Sequence, residues 1–107
     1  EYRSNLERII ERLSKTGERI VFATTTPVHP KMPFRNDSWS WKNEEIEAYN
    51  RAAIGIMSAH KIPINDLHAI VAADPDALFG EDQLHLNANG QKACAKAVVD
   101  AIEKYLP

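Results

Sequence analysis

The sequence has one cysteine, Cys94, which rules out an internal disulfide and leaves the redox compartment open. It has no apolar run approaching the length of a membrane span. Neither sign of charge dominates: 13 Lys and Arg stand against 15 Asp and Glu, a formal net charge of −2. The basic residues are scattered, so the composition gives no case for nucleic acid or an anionic membrane as partner. The four histidines and one cysteine form no close-spaced ligand pairs, so no metal site is expected. Repeats, low-complexity tracts and linkers are also missing, and 107 residues read as one small domain with a limited core. No signal peptide is visible, but the chain begins at Glu1 rather than Met. The expectation is a soluble piece of a longer polypeptide; its compartment stays open, with a secreted or periplasmic parent among the options.

Apolar periodicity supplies the elements. In "SNLERIIERLSKTG", Leu6, Ile9, Ile10 and Leu13 recur at i, i+3, i+4 and i+7, one stripe of a helix. Ser4 and Glu7 fit a capping box, and Gly17 fits the stop. "RIVFAT", residues 19–24, is a short β-rich run without alternation, as in a parallel strand covered on both faces. Residues 25–43 contain Pro27, Pro30 and Pro33 and no helical period, which makes a long connection of the kind that usually carries function. Asn43 fits an N-cap, with Glu44 and Glu45 in the first turn of a helix running to Ala59 or His60. That helix is expected to bury Ile46, Tyr49, Ala53, Ile56 and Met57. Ile62 and Ile64 mark a second strand, Asp66 caps a brief helix, and "DPDALFGED" reads as a turn-rich loop. The last helix spans 88–105, with Asn87 as its N-cap and Cys94, Ala97, Val98, Ala101, Ile102 and Tyr105 on its apolar face.

Strands alternating with helices imply parallel strands and right-handed crossovers. Two parallel strands make a poor sheet by themselves, because such sheets are covered on both faces and are usually larger. The sequence therefore reads as one end of an α/β sandwich whose other strands lie elsewhere.

In open α/β folds, ligands bind beyond the carboxyl ends of the strands. The 25–43 connection leaves one such end, and "EDQLHLNANGQ" follows the other. Asp82 and His85 sit there three residues apart, a spacing that puts both side chains on one side of a tight turn. An imidazole oriented by a carboxylate is what acyl transfer from an ester needs. The ring takes a proton from a hydroxyl nucleophile and returns it to the leaving alcohol, and the acid fixes the tautomer. The plain alternative is a surface ion pair beside a helix start.

The block "DQLHLNANG" resembles the last motif of the SGNH/GDSL hydrolases, an Asp-x-x-His pair followed by a short polar turn and a C-terminal helix. "YRSNLERIIERL…RIVFATTTPV" and "EEIEAYNRAA…IPINDLHAIV", with its Tyr49–Asn50 pair, are similar to that family's two preceding units. The resemblance covers the whole chain. It implies a three-layer α/β/α sandwich with a flavodoxin-like parallel sheet, of which 1–107 is the C-terminal portion. It implies His85 as general base, Asp82 as its orienting acid, an acyl-serine intermediate and no cofactor. The family's Gly-Asp-Ser block and its Gly-x-Asn-Asp block match nothing here, so nucleophile and oxyanion hole are expected upstream of Glu1, and the chain alone is expected to be inactive.

Ser38 and Ser40 are poor substitutes for the nucleophile, since neither lies on a strained strand-to-helix turn. Phe34, Trp39 and Trp41 are candidates to line a substrate pocket, equally well read as aromatics that hold their own loop down. His29 is either a cleft residue or a solvated loop histidine. His60 and His68 read as helix residues. The expected substrate is a small-molecule or carbohydrate ester. The expected partner at the open sheet edge is the remaining half of the fold or a second copy of the chain. The competing reading is a non-catalytic α/β module.

Overall fold

The structure is a computed structural model, and it describes residues 1–31 and 41–106. The order is α1 (Tyr2–Ser14), β1 (Phe22–Ala23), α2 (Asn43–Ala59), β2 (Ile64–Asn65), α3 (Leu67–Ala73), α4 (Pro75–Leu78) and α5 (Ala88–Tyr105). The strands pair in parallel, with Phe22 opposite Ile64 and Ala23 opposite Asn65. Alternate residues of a strand face opposite ways, so each registered pair marks one side of the sheet. Phe22 and Ile64 pack with Leu6 and Ile10 of α1, Ile56 and Met57 of α2, and Ile62. Ala23 and Asn65 share the other side with Val98, Ala101 and Ile102 of α5. The result is an α/β/α arrangement, with α1 and α2 on one face and α5 on the other.

Burial of Ile10, Ile56 and Met57 on the first face, each about 1.5–3 kcal/mol, is the main force holding α1 and α2 to the sheet. On the second face Val71 is fully buried, with Phe79 and Ala101 nearly so. This cover is incomplete. Val98 is 39 % exposed and Ile102 48 %, although both lie on the apolar face read from the sequence. Leu13 of α1 lines the same groove and is 41 % exposed. Among the described residues β1 pairs only with β2, and its other edge is open.

Several boundaries differ from those read in the sequence, for physical reasons. The strand expected over 19–24 is two residues long, because a ladder extends only where a partner runs beside it. α1 starts at Tyr2, so Ser4 lies inside the first turn and its hydroxyl donates to the Glu1 carbonyl instead of forming a capping box. α2 is capped by Lys42, and Asn43 is already helical. Tyr49 is exposed, not buried; its ring meets that of Tyr2 edge-on at 4.7 Å. The "DPDALF" stretch contains the four-residue α4, capped by Asp74 accepting from the Ala77 N–H. The caps at Asp66 and Asn87 stand where the sequence put them.

Candidate active site

The carboxyl ends of β1 and β2 are tied together first. Thr24, buried, donates its hydroxyl hydrogen to Asp66 Oδ1 at 2.9 Å and accepts the His68 N–H at 3.0 Å. The same Asp66 oxygen caps α3 through the Ala69 N–H. One threonine thus joins the end of one strand to the helix that leaves the other. His68 lies in α3, and its Nε2 is buried without a hydrogen-bond partner among the described residues.

The chain then crosses the molecule as a strap, residues 24–31, held by two asparagines of α2. Asn50 accepts the Thr25 N–H and donates to the Thr25 carbonyl, both at 2.9 Å. Asn43 does the same for Val28, again at 2.9 Å each. The asparagines are seven residues apart, two turns on one helix face, so their amides reach successive parts of the strap. Each pair satisfies part-buried backbone groups of the strap.

The Asp82–His85 turn is closed at its base. Phe79 and Leu86 form an antiparallel bridge, Gly80 N–H donates to the His85 carbonyl at 2.8 Å, and Asn87 N–H donates to Leu78 at 2.9 Å. Asn87 also donates from its amide to the Ala77 and Phe79 carbonyls while its oxygen caps α5 through Gly90 N–H. α5 starts so close to α4 that a Cβ at Gly90 would strike the Leu78 carbonyl oxygen. Inside the turn Gln83 has φ +60°, a left-handed conformation costing a non-glycine residue about 1 kcal/mol. Asp82 offsets that cost locally: its Oδ1 accepts the N–H groups of Leu84 at 3.0 Å and His85 at 2.9 Å.

Those bonds leave Asp82 Oδ2 aimed at His85, whose Nδ1 lies 2.6 Å away. The hydrogen bond from His85 is the largest of the influences that hold the Asp82 carboxyl far below the ordinary aspartate range; the two backbone N–H groups add to it. Asp82 is therefore ionised at neutral pH. An ionised acceptor at Nδ1 requires the hydrogen there, which leaves the lone pair on Nε2. Nε2 has no hydrogen-bond partner among the described residues, and the His85 side chain is 81 % exposed. The pair can therefore remove a proton from a hydroxyl brought to Nε2, with the resulting imidazolium stabilised by Asp82.

His29 is not a solvated loop residue. It is 7 % exposed, with its ring edge-on to Phe79 at 5.7 Å. Its Nδ1 accepts the Lys31 N–H at 3.0 Å, so Nε2 carries the hydrogen and donates it to Asp76 Oδ1 at 2.7 Å. That bond is the main reason the Asp76 carboxyl is held below its usual range. With both nitrogens engaged, the His29 ring has no polar atom left for a substrate. Trp41 lines a concavity of about 260 Å³ with Tyr2, Thr25, Lys42, Glu45, Ile46 and Tyr49, a lining that includes neither Asp82 nor His85. Phe34, Trp39, Ser38 and Ser40 lie outside the described residues. His60 ends α2 and meets Glu7 of α1 at 2.6 Å. Cys94 is partly buried, which pushes its thiol pKa up and away from reactivity. Among the described residues no group of three or more His, Cys, Asp or Glu is placed to hold a metal ion, and no helix is long and apolar enough to cross a membrane.

Local patterning announced the Asp82–His85 pair but not the bridging roles of His29, Asn43 and Asn50. The only signal for the latter was their chemistry, polar side chains beside a proline-rich strap.

Solved structures share this fold. A Streptococcus pneumonia protein described as a platelet activating factor matches with a TM-score of 0.76 and 23 % identity over 94 % of this chain and 50 % of its own. The esterase domain of the ZfL2-1 ORF1 protein from a zebrafish retrotransposon matches with a TM-score of 0.75 and 16 % identity, over 94 % of this chain and 56 % of its own. A Bacteroides fragilis protein assigned as an acylhydrolase matches with a TM-score of 0.76 and 18 % identity, over 98 % of this chain and 51 % of its own. The chain thus spans about half the length of the structures it matches. No curated protein sequence matches it. The sequence profile of the GDSL-like lipase/acylhydrolase family matches residues 1–93, and with this fold around an Asp-x-x-His turn the chain belongs to that family.

Proposed function

We propose that this chain supplies the general base, His85, and its orienting acid, Asp82, to a serine ester hydrolase whose nucleophile and oxyanion hole lie in polypeptide outside residues 1–107. The observation that carries this reading is the 2.6 Å contact between Asp82 Oδ2 and His85 Nδ1, which presents an unoccupied Nε2 to solvent. In the reaction, Nε2 takes the proton of the serine hydroxyl as it attacks the ester carbonyl. It then gives that proton to the departing alcohol, and a second cycle with water releases the acid. The substrate is a carboxylic ester, acetyl esters of carbohydrates among the classes to be tried.

The chain forms the C-terminal portion of one hydrolase domain, and the open edge of β1 receives the other portion. Exposed apolar residues beside that edge support this placement, as does the match to about half the length of the solved structures.

Hydrolysis of a short-chain chromogenic ester tests the reading. The chain alone and its His85→Ala variant are expected to stay at background. The same chain extended upstream through a Gly-Asp-Ser block is expected to turn over and to lose activity on His85→Ala. Turnover by residues 1–107 alone that disappears in His85→Ala would mean that a nucleophile lies within them. Absence of turnover in the extended protein would favour the non-catalytic module.

A further inference from the structure

The Asp82–His85 turn has a second support besides its own hydrogen bonds. In its left-handed conformation Gln83 turns its carbonyl out of the turn, and the His29 N–H donates to it at 3.0 Å. Gln83 N–H donates inward, to Gly80 at 3.0 Å, so the residue between acid and base is held on both sides. The His29 N–H shares a peptide unit with the Val28 carbonyl, which the Asn43 amide holds, and the His29 ring is fixed by three contacts: Lys31 N–H on Nδ1, Asp76 on Nε2 and the Phe79 ring at its edge. One residue earlier Val28 is clamped by Asn43, so the strap is rigid up to the point where it meets the turn.

We propose that His29 is a positioning residue for the Asp82–His85 pair, acting through its backbone N–H on Gln83 while its buried ring locks the strap to α4. This rests on the catalytic reading of the pair, but the geometry it claims exists in the isolated chain. Loss of the ring would release the strap from α4 and leave the Val28–His29 peptide unit held from the Asn43 side alone, which loosens its N–H on the Gln83 carbonyl and lets the left-handed residue relax. Asp82 Oδ1 would then lose its alignment with the Leu84 and His85 N–H groups, and Oδ2 its contact with Nδ1.

The test is nuclear magnetic resonance of the 107-residue chain, following the Asp82 carboxyl carbon through an acid titration and the proton on His85 Nδ1. His29→Ala is expected to raise the Asp82 midpoint by about one pH unit, the equivalent of one weakened hydrogen bond, and to broaden the Nδ1 proton signal. His29→Gln, whose amide nitrogen reaches toward Asp76 as Nε2 does, is expected to recover part of both. Ile56→Val, a mild core change away from the turn, controls for general loss of stability and is expected to move neither. Should His29→Ala fail to fold, Asp76→Ala removes only the exposed acceptor and is expected to shift both signals in the same direction by less.

An unchanged Asp82 midpoint and an unchanged Nδ1 signal in a folded His29→Ala, or in Asp76→Ala where that variant stands in, would overturn the proposal. So would an equal shift in Ile56→Val. None of these signals needs turnover, so failure of the ester assay leaves this test intact.

Discussion

At the scale of the residue, the proposed chemistry rests on which nitrogen of His85 holds the hydrogen. Asp82 decides that while it is ionised, and the hydrogen bond from His85 holds its pKa below the ordinary value. Asp82→Asn keeps the shape but removes the charge that stabilises the imidazolium. In the extended protein of the proposal kcat is expected to fall about a thousand-fold with little change in KM, measured by ester hydrolysis. The same depressed pKa predicts a stability signature. A carboxyl with a lower pKa when folded stabilises the protein above its unfolded pKa, and that contribution fades as the pH falls through the folded value. Wild type is therefore expected to exceed Asp82→Asn in urea resistance at neutral pH, and the gap to close in strong acid; a gap constant with pH would contradict this. The Asp-x-x-His spacing was legible because a tight turn is a local event. The burial of His29 was not, since its ring answers to Asp76, 47 positions along the chain, and no periodicity reports such a pairing.

At the scale of the element, caps and periods fixed most of the helices, and packing fixed the rest. Asn87 before an apolar period placed the start of α5. The same logic misplaced the start of α1, because Ser4 lies within its first turn and its hydroxyl bonds back to the carbonyl of Glu1, the cap residue. α4 has four residues, too few for a period to show. Gly90 carried no obvious meaning in sequence, but α5 approaches α4 there without room for a side chain. Gly90→Ala is expected to destabilise the fold by about 1–3 kcal/mol despite its better helix propensity, measured by urea unfolding. In the sequence Asn50 stands out only as half of a resemblance, yet it holds both backbone groups of Thr25. Asn50→Ala leaves a donor and an acceptor at the buried edge of the strap and is expected to cost about 1–3 kcal/mol in the same assay. Stability unchanged in Asn50→Ala would mean that water replaces the amide without loss.

At the scale of the whole molecule, the sequence announced an α/β class with parallel strands, but not how far the apolar face of α5 would be covered. Periodicity shows which face of α5 is apolar and says nothing of whether a partner is present, which is why Val98 and Ile102 read as core. The chain exposes 7405 Å², against about 6,000 Å² for a compact monomer of its mass. Its radius of gyration is 15.3 Å, against about 13 Å for a compact domain of this length. Among the described residues the β1 edge is open and is flanked by Leu13, Val98 and Ile102. Free strand edges with apolar flanks recruit other strands. The isolated chain is therefore expected to self-associate in sedimentation equilibrium, and Val98→Lys with Ile102→Glu to return it to a monomer. In the extended protein the same two charges would sit between sheet and helix without solvent, so the double variant is expected to abolish ester turnover while leaving the Asp82–His85 signals of the short chain unchanged. A monomeric, sharply unfolding wild-type chain would mean that the groove closes on itself, and the requirement for a sheet partner would fall with it.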